Sequence, residues 1–193
     1  MIGYIYWVTM DEKQAVQRLK QGDIHGLEFL VNQFQLKATR VAYLITRDLG
    51  LAEDVVQETF INAFRSIRSF DERCSFEPWF LQSVVNASVK LMQKSARQVE
   101  MGDESDGSLF TELISKVESI EERVESIEIQ KQIWEAMQKL SPRQRAVIVQ
   151  RYFLEMSEKE MATESGAAAG TIKWLLNAAR ERLRMLLAER SEQ

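Results

Sequence analysis

The stretch SEKEMATESGAAAGTIKWLLNAARERLRMLL, residues 157–187, decides the fold. Ser157 stands where an N-cap oxygen accepts the N–H three residues on, and Glu160 stands where the reciprocal partner of a capping box belongs, so a short helix begins there. Gly166 ends it, because glycine takes the left-handed conformation that closes a helix at no steric cost. After the AAAG turn a second helix starts at Thr171, with Ile172, Leu176, Ala179, Leu183 and Leu186 on one stripe and Arg180, Arg182 and Arg184 near it. A short helix, a Gly-containing turn and a longer basic helix form the plan of a helix-turn-helix, whose second helix enters the major groove of DNA. An αα-hairpin inside a bundle has the same outline.

Working upstream, Ile133, Trp134, Met137 and Leu140 form an apolar face that runs to Ser141-Pro142, where a new helix begins. Residues 99–131 differ: they open with the polar VEMGDESDGS and pass into an acidic helical pattern, and residues 99 to about 118 are expected to be a flexible tether. The repeat VESIE puts Val117, Ile120, Val124 and Ile127 on one heptad seam, too short for a coiled coil and read as an amphipathic lead-in helix. Residues 1–98 carry 12 basic and 11 acidic groups, residues 99–133 carry 3 and 10, and residues 134–193 carry 10 and 8. The linker therefore holds the acidity. The net charge of −4 does not argue against nucleic acid, because binding depends on local basic faces.

In the first half, Glu12 to Gln21 reads as a short helix, and Asp23 offers a cap for a long one whose Leu27, Leu30, Val31, Phe34, Val41, Leu44 and Ile45 recur at three and four. A third helix, from about Ala52 to Ile67, is expected to bury Val56, Phe60, Ala63, Phe64 and Ile67 and to leave Glu53, Asp54, Gln57, Glu58 and Asn62 outside. A fourth opens with Ser75 as a cap and Pro78 in its first turn and runs to about Arg97. From Pro78 to Val99 there is no acidic residue, and Lys90, Lys94 and Arg97 share one face, either a phosphate-tracking stripe or an ordinary solvated one. Phe70, Phe76, Trp79 and Phe80 cluster around DERCSF; such aromatics stack unpaired bases or pack a core, and Phe70 and Phe80 are assigned to the core.

Composition agrees with an all-α architecture of two small helical domains, 10–98 and 132–193, joined by an acidic linker at 99–131, with a C-terminal helix-turn-helix. The 193 residues include only 8 Gly and 2 Pro, too few for a turn-rich β fold. Cys74 and His25 are each the sole residue of their type, which excludes a disulfide and a Cys/His zinc site. No apolar run approaches the roughly 20 residues that cross a bilayer, so a soluble, cytoplasmic protein is expected. MIGYIYWVT, residues 1–9, lacks a basic start and a cleavage site. It is either an extra packed stretch or the result of a start that belongs at Met10.

AEDVVQETFINAFRSIRSFD (52–71), CSFEPWFLQSVVN (74–86), LSPRQRAVIVQRYFLEMSEKEMA (140–162) and GTIKWLLNAARERLRMLL (170–187) together resemble the extracytoplasmic-function sigma factors of bacterial RNA polymerase. The resemblance implies that the first domain binds the polymerase clamp and opens the minus-ten element, and that the second reads the minus-thirty-five element. It implies core RNA polymerase and promoter DNA as partners, an anti-sigma factor that is membrane-bound in some cases, no cofactor, no metal and no active site. Carried over by position, clamp binding falls on Asp54, Gln57, Glu58 and Asn62, which present an acidic face off the buried stripe. The loop that captures a flipped minus-ten base corresponds to about Phe70 to Phe76, with Arg73 and Ser75 assigned to DNA, and Trp79, Asn86, Lys90 and Lys94 would face the separating strands. In the recognition helix the positions are Thr171, Lys173, Trp174, Asn177 and Arg180.

The departures matter. Gln82 stands where the family commonly has Arg, and Lys90 where it has Asp. The recognition helix reads GTIKWLLNAAR against a usual GTVKSRLHRAR, and Ser165 and Ala167 replace larger apolar residues in the turn. Trp174 and Leu175 fall outside the core stripe, so they should not both be buried. These changes motivate an alternative, a sigma-like interaction protein that binds polymerase or a regulator and reads promoters weakly. A stand-alone helix-turn-helix repressor leaves the acidic clamp-type helix unexplained, and the lone His25 beside Gly26 offers no nucleophile–base pair for an enzyme.

Overall fold

A computed structural model describes residues 10–95, 129 and 131–191. The expectations for MIGYIYWVT, for Arg97, for the tether and for the heptad seam lie outside the described residues. Within them the chain is all-α. In order come α1 (Glu12–Lys20), α2 (His25–Thr46), α3 (Leu49–Ser66) continued by a 3₁₀ turn (Ile67–Ser69), and α4 (Phe76–Ser95). There follow α5 (131–138), α6 (Pro142–Ile148) continued by a π turn (Val149–Phe153), α7 (Glu158–Ser165) and α8 (Ala169–Ser191). Contacts divide these elements into two compact units, one holding α1, α2 as far as Tyr43 and Leu49–Ser88, the other Leu44–Asp48 and the chain from Val89.

In the first unit α1 is opened by a capping box, Asp11 accepting the Gln14 N–H at 2.8 Å while the Gln14 amide oxygen accepts the Asp11 N–H at 3.2 Å. It buries Ala15, Val16 and Leu19. Asp23 caps the start of α2 as expected, accepting the His25 N–H at 3.0 Å. That bond first, and Arg18 beside it, hold the Asp23 carboxyl below its usual range. Gly26 lets the first turn of α2 approach the backbone of α1 more closely than any Cβ would allow. Leu30, Phe34, Ala38 and Val41 of α2, Val56, Phe60 and Ala63 of α3, and Phe76, Phe80 and Val84 of α4 are buried, with ring centroids 6.0 Å apart for Phe34 and Phe76 and 4.2 Å apart for Phe60 and Phe80. Phe70 and Phe80 are buried as assigned. Phe64 is not: it is 41% exposed, a correction to the expected stripe. Positions 60, 63, 64 and 67 all fit a three-and-four spacing, but one helix face is too narrow to bury the whole set.

In the second unit Trp134, Met137 and Leu140 form the apolar face foreseen for α5, while Ile133 is exposed. Ser141 caps α6 in a capping box with Gln144, with Pro142 in the first turn. Ser157 and Glu160 cap α7, and Gly166 closes it at φ 64° in the left-handed region. Helix α8 starts at Ala169, two residues before the expected Thr171, because the Ala168 carbonyl already accepts the N–H groups of Thr171 and Ile172. Its Ile172, Leu176, Ala179 and Leu186 are buried against the unit, and Leu183 is half-buried. Arg145 is 2% exposed and donates to the Leu140 carbonyl at 2.6 Å and the Ile45 carbonyl at 2.9 Å. Burial, and secondarily Arg47, bring its pKa down to about 10. The guanidinium saturates carbonyls at helix ends, where the backbone leaves acceptors unpaired and the dipole favours a cation.

Candidate nucleic-acid interface

Between the 3₁₀ turn and α4 the chain makes a short polar loop, Asp71 to Ser75, all of it exposed. Asp71 accepts the Arg73 N–H and its guanidinium at 2.6 to 3.0 Å, so Arg73 is oriented by its own loop. The Arg73 guanidinium in turn holds the Asp71 carboxyl below its usual range. Phe70 and Phe76 anchor the two ends in the aromatic core, where Phe76 stacks on Phe80 at 5.5 Å and meets Phe70 edge-on at 5.9 Å. Trp79 packs 5.0 Å from Phe70 and 5.5 Å from Phe76, yet stays half-exposed beside the loop. A cavity of about 140 Å³ opens next to the loop, with Val16 and Gln17 on one wall and Phe70, Glu72, Cys74 and Phe76 on the other.

Along α4 the helical repeat puts Asn86, Lys90 and Lys94 on one face, and all are exposed. Gln82 is buried and donates to the Asn86 amide oxygen at 3.1 Å, which fixes the orientation of Asn86. On α3, Asp54, Gln57, Glu58 and Asn62 are exposed. The same face presents Ile61 and Phe64. Exposed apolar groups next to polar and charged ones are a common make-up of a protein-binding surface. Sequence reading passed over Ile61 and assigned Phe64 to the core; their exposure is the missed signal.

In the helix-turn-helix, Thr171, Lys173, Trp174 and Asn177 lie on the outer side of α8, and Arg180 is half-buried at its flank. Lys173, Arg180 and Arg184, spaced by seven and four, fall on one line down the helix. Trp174 is 69% exposed and Leu175 half-buried, so they are not both covered by the unit's own core. The Arg180 Nε–H donates to the Tyr152 hydroxyl at 2.9 Å, and its guanidinium carbon lies 5.6 Å from the Tyr152 ring centroid. Nothing in the spacing of the sequence announced that pair. Among the described residues no group of three or more His, Cys, Asp or Glu converges to hold a metal, and no helix is long and apolar enough to cross a membrane.

Comparison with known proteins adds a second kind of evidence. The pattern of Sigma-70 region 2 matches residues 30–98, and that of Sigma-70, region 4 matches residues 130–183. ECF RNA polymerase sigma factor SigM of Bacillus subtilis is 30% identical over 142 residues, covering 74% of this chain and 83% of its own. ECF RNA polymerase sigma factor SigW of the same organism is 26% identical over 181 residues, covering 92% and 97%. In solved structures a similar fold is that of the sigma factor RpoE of Bartonella quintana, determined with the anti-sigma factor NepR, with a TM-score of 0.62, 24% identity and coverage of 82% of this chain and 96% of that one.

Proposed function

The chain belongs to the ECF RNA polymerase sigma factors, proteins that direct polymerase to specific promoters at transcription initiation, and from that premise we propose how its surfaces divide the work. The first domain, residues 10–98, docks on the polymerase clamp through the α3 face and takes the opened minus-ten strand on the loop and α4. The second, residues 132–193, sets α8 on the minus-thirty-five element, and the acidic 99–131 segment joins them. Work on RNA polymerase puts the protein in the cytoplasm, and its part is that of an initiation factor with no active site of its own. An anti-sigma factor, membrane-bound or free, completes the set of partners.

The observation that carries this division is the exposed α3 face. Asp54, Gln57 and Glu58 lie next to exposed Ile61 and Phe64 on α3, a mixed acidic and apolar surface that suits a basic, partly apolar docking helix. On the DNA side, the cavity beside the loop offers room for an extruded base, whose unstacking costs a few kcal/mol that contacts must return. Lys173 and Arg180 serve phosphates, and Trp174 supplies apolar contact to thymine methyls or sugars instead of the bidentate pattern by which Arg reads guanine. The test is reconstitution of the full chain with core polymerase and run-off transcription of genomic fragments. Asp54→Ala with Gln57→Ala should abolish retention by core while leaving helicity intact, because truncating a charged contact buried on docking costs about 2 to 5 kcal/mol. Unchanged retention overturns the clamp assignment. Retention by core without promoter-dependent transcripts favours the alternative, an interaction protein that reads promoters weakly.

A further inference from the structure

Helix α1 grips both ends of the Asp71–Ser75 loop. At the entrance the Lys20 ammonium donates to the Phe70 carbonyl at 2.7 Å and pairs with the Glu72 carboxylate at 2.8 Å. At the exit the Glu12 carboxylate accepts the Phe76 N–H at 2.7 Å, satisfying a donor that the first turn of α4 leaves free. Gln17, between them on α1, donates to the other Glu72 oxygen at 3.4 Å. These bonds join residues 50 to 64 positions apart, so the loop's placement is set from outside the loop. The adjoining cavity is lined by α1 on one side and by the loop and its two aromatic anchors on the other.

Charge gives Lys20 a second task. The loop carries two carboxylates, and a nucleic-acid strand brings phosphates toward them. Asp71 is paired with Arg73 inside the loop, whereas Glu72 depends on Lys20, whose hydrogen bond is the first cause of its lowered pKa. Remove the ammonium and one loop carboxylate faces the strand uncompensated, while the Phe70 carbonyl loses its charged donor.

We propose that α1 is the brace of the strand-binding loop, with Lys20 and Glu12 as positioning residues that fix its two ends and, at Lys20, cancel its surplus negative charge. The inference rests on the assignment of the Asp71–Ser75 loop to the opened promoter strand, and the experiment separates the two. Full-length protein is combined with core polymerase on the genomic fragment that it transcribes most strongly. Closed-complex affinity is measured in the cold, and the rate of opening by permanganate reactivity of unpaired thymines. Arg73→Ala with Ser75→Ala, both exposed loop positions, should slow opening. Lys20→Met should slow it about tenfold, as expected for loss of charge-assisted bonds, with core affinity and closed-complex affinity unchanged. Lys20→Arg, which keeps the donors and the charge, should restore the rate. If Lys20→Met lowers the melting temperature, Glu12→Ala at the opposite end decides by the same readout. Wild-type opening in Lys20→Met and Glu12→Ala, or slowing only in step with lost core binding, overturns the brace while the loop assignment stands. Wild-type opening in Arg73→Ala with Ser75→Ala overturns both.

Discussion

Replacing Gly26 by Ala tests the seat of α1 without touching any residue assigned to DNA. A Cβ at position 26 would press on the Ala15 carbonyl oxygen and sit 2.9 Å from the Leu19 nitrogen and 3.2 Å from its Cβ. The first two are backbone atoms of α1, so no rotamer change relieves the clash and the helix as a whole must withdraw. Ordinary contact requires a shift of about 1 Å, since non-bonded heavy atoms settle at about 3.5 to 4.0 Å. Ala15, Val16 and Leu19 go with it, and overpacking of this kind costs about 1 to 3 kcal/mol. In a unit of this size each kcal/mol lowers the melting temperature by about 4 to 8 °C. The same shift lengthens the 2.7 Å bond from Lys20 to the Phe70 carbonyl toward the limit at which such bonds fail. Scanning calorimetry should therefore show a fall of about 5 to 20 °C in the transition of the first unit, and holoenzyme carrying Gly26→Ala should open promoters as slowly as Lys20→Met. A melting temperature within about 1 °C of wild type would refute the claim that α1 and α2 are wedged at this glycine.

Three further outcomes are expected. Arg180→Ala should lower the salt slope of binding to a minus-thirty-five duplex by about 0.9, the share of one phosphate contact, and Tyr152→Leu should weaken binding only when Arg180 is present; additive losses in the double variant would show that the pair is not coupled. Trp174→Ser with Leu175→Arg should raise affinity for a family-type minus-thirty-five sequence, each regained bidentate contact contributing about 1 to 3 kcal/mol, and a variant that keeps its melting temperature yet binds no better rules out altered reading at these positions. Carboxyl NMR should find Glu72 titrating below its usual 4.5 in the wild type and moving up toward that value in Lys20→Met, because the Lys20 hydrogen bond is the main cause of the shift. With the folded pKa depressed, the contribution of this pair is present above pH 4.5 and lost as the pH falls through the folded pKa.

What was legible in the sequence is what local chemistry decides. The caps at Ser141 and Ser157 need partners only three residues away, Gln144 and Glu160, and glycine at 166 needs only its own backbone. The buried stripe of α8 follows from helical period alone. Phe64 escaped because spacing says which residues share a face and not how wide the covered part of that face is. The brace of α1 on the loop was out of reach for another reason. Its bonds join Lys20 to Phe70 and Glu12 to Phe76, and neither end carries a local signature. Glu12 in the first turn and Lys20 in the last turn of α1 each suit the helix dipole on their own account, so their positions announce nothing further.

The Tyr152–Arg180 pair shows the same limit from the opposite direction, where a local rule holds and then breaks. Counted as a continuous α-helix from Pro142, Tyr152 shares a face with Arg145 and Val149, which are buried, and would be read as core. The π turn at Val149–Phe153 has more residues per turn than an α-helix, so Tyr152 rotates off that face and stands 60% exposed. There its hydroxyl accepts the Arg180 Nε–H and its ring lies beneath the guanidinium. A π turn is rarely adopted without compensation, and here it delivers a side chain from outside the helix-turn-helix to the basic line of α8. The break in periodicity thus coincides with a residue that positions Arg180, the cation we propose for a DNA phosphate, a pattern that fits a local preference given up for a functional one.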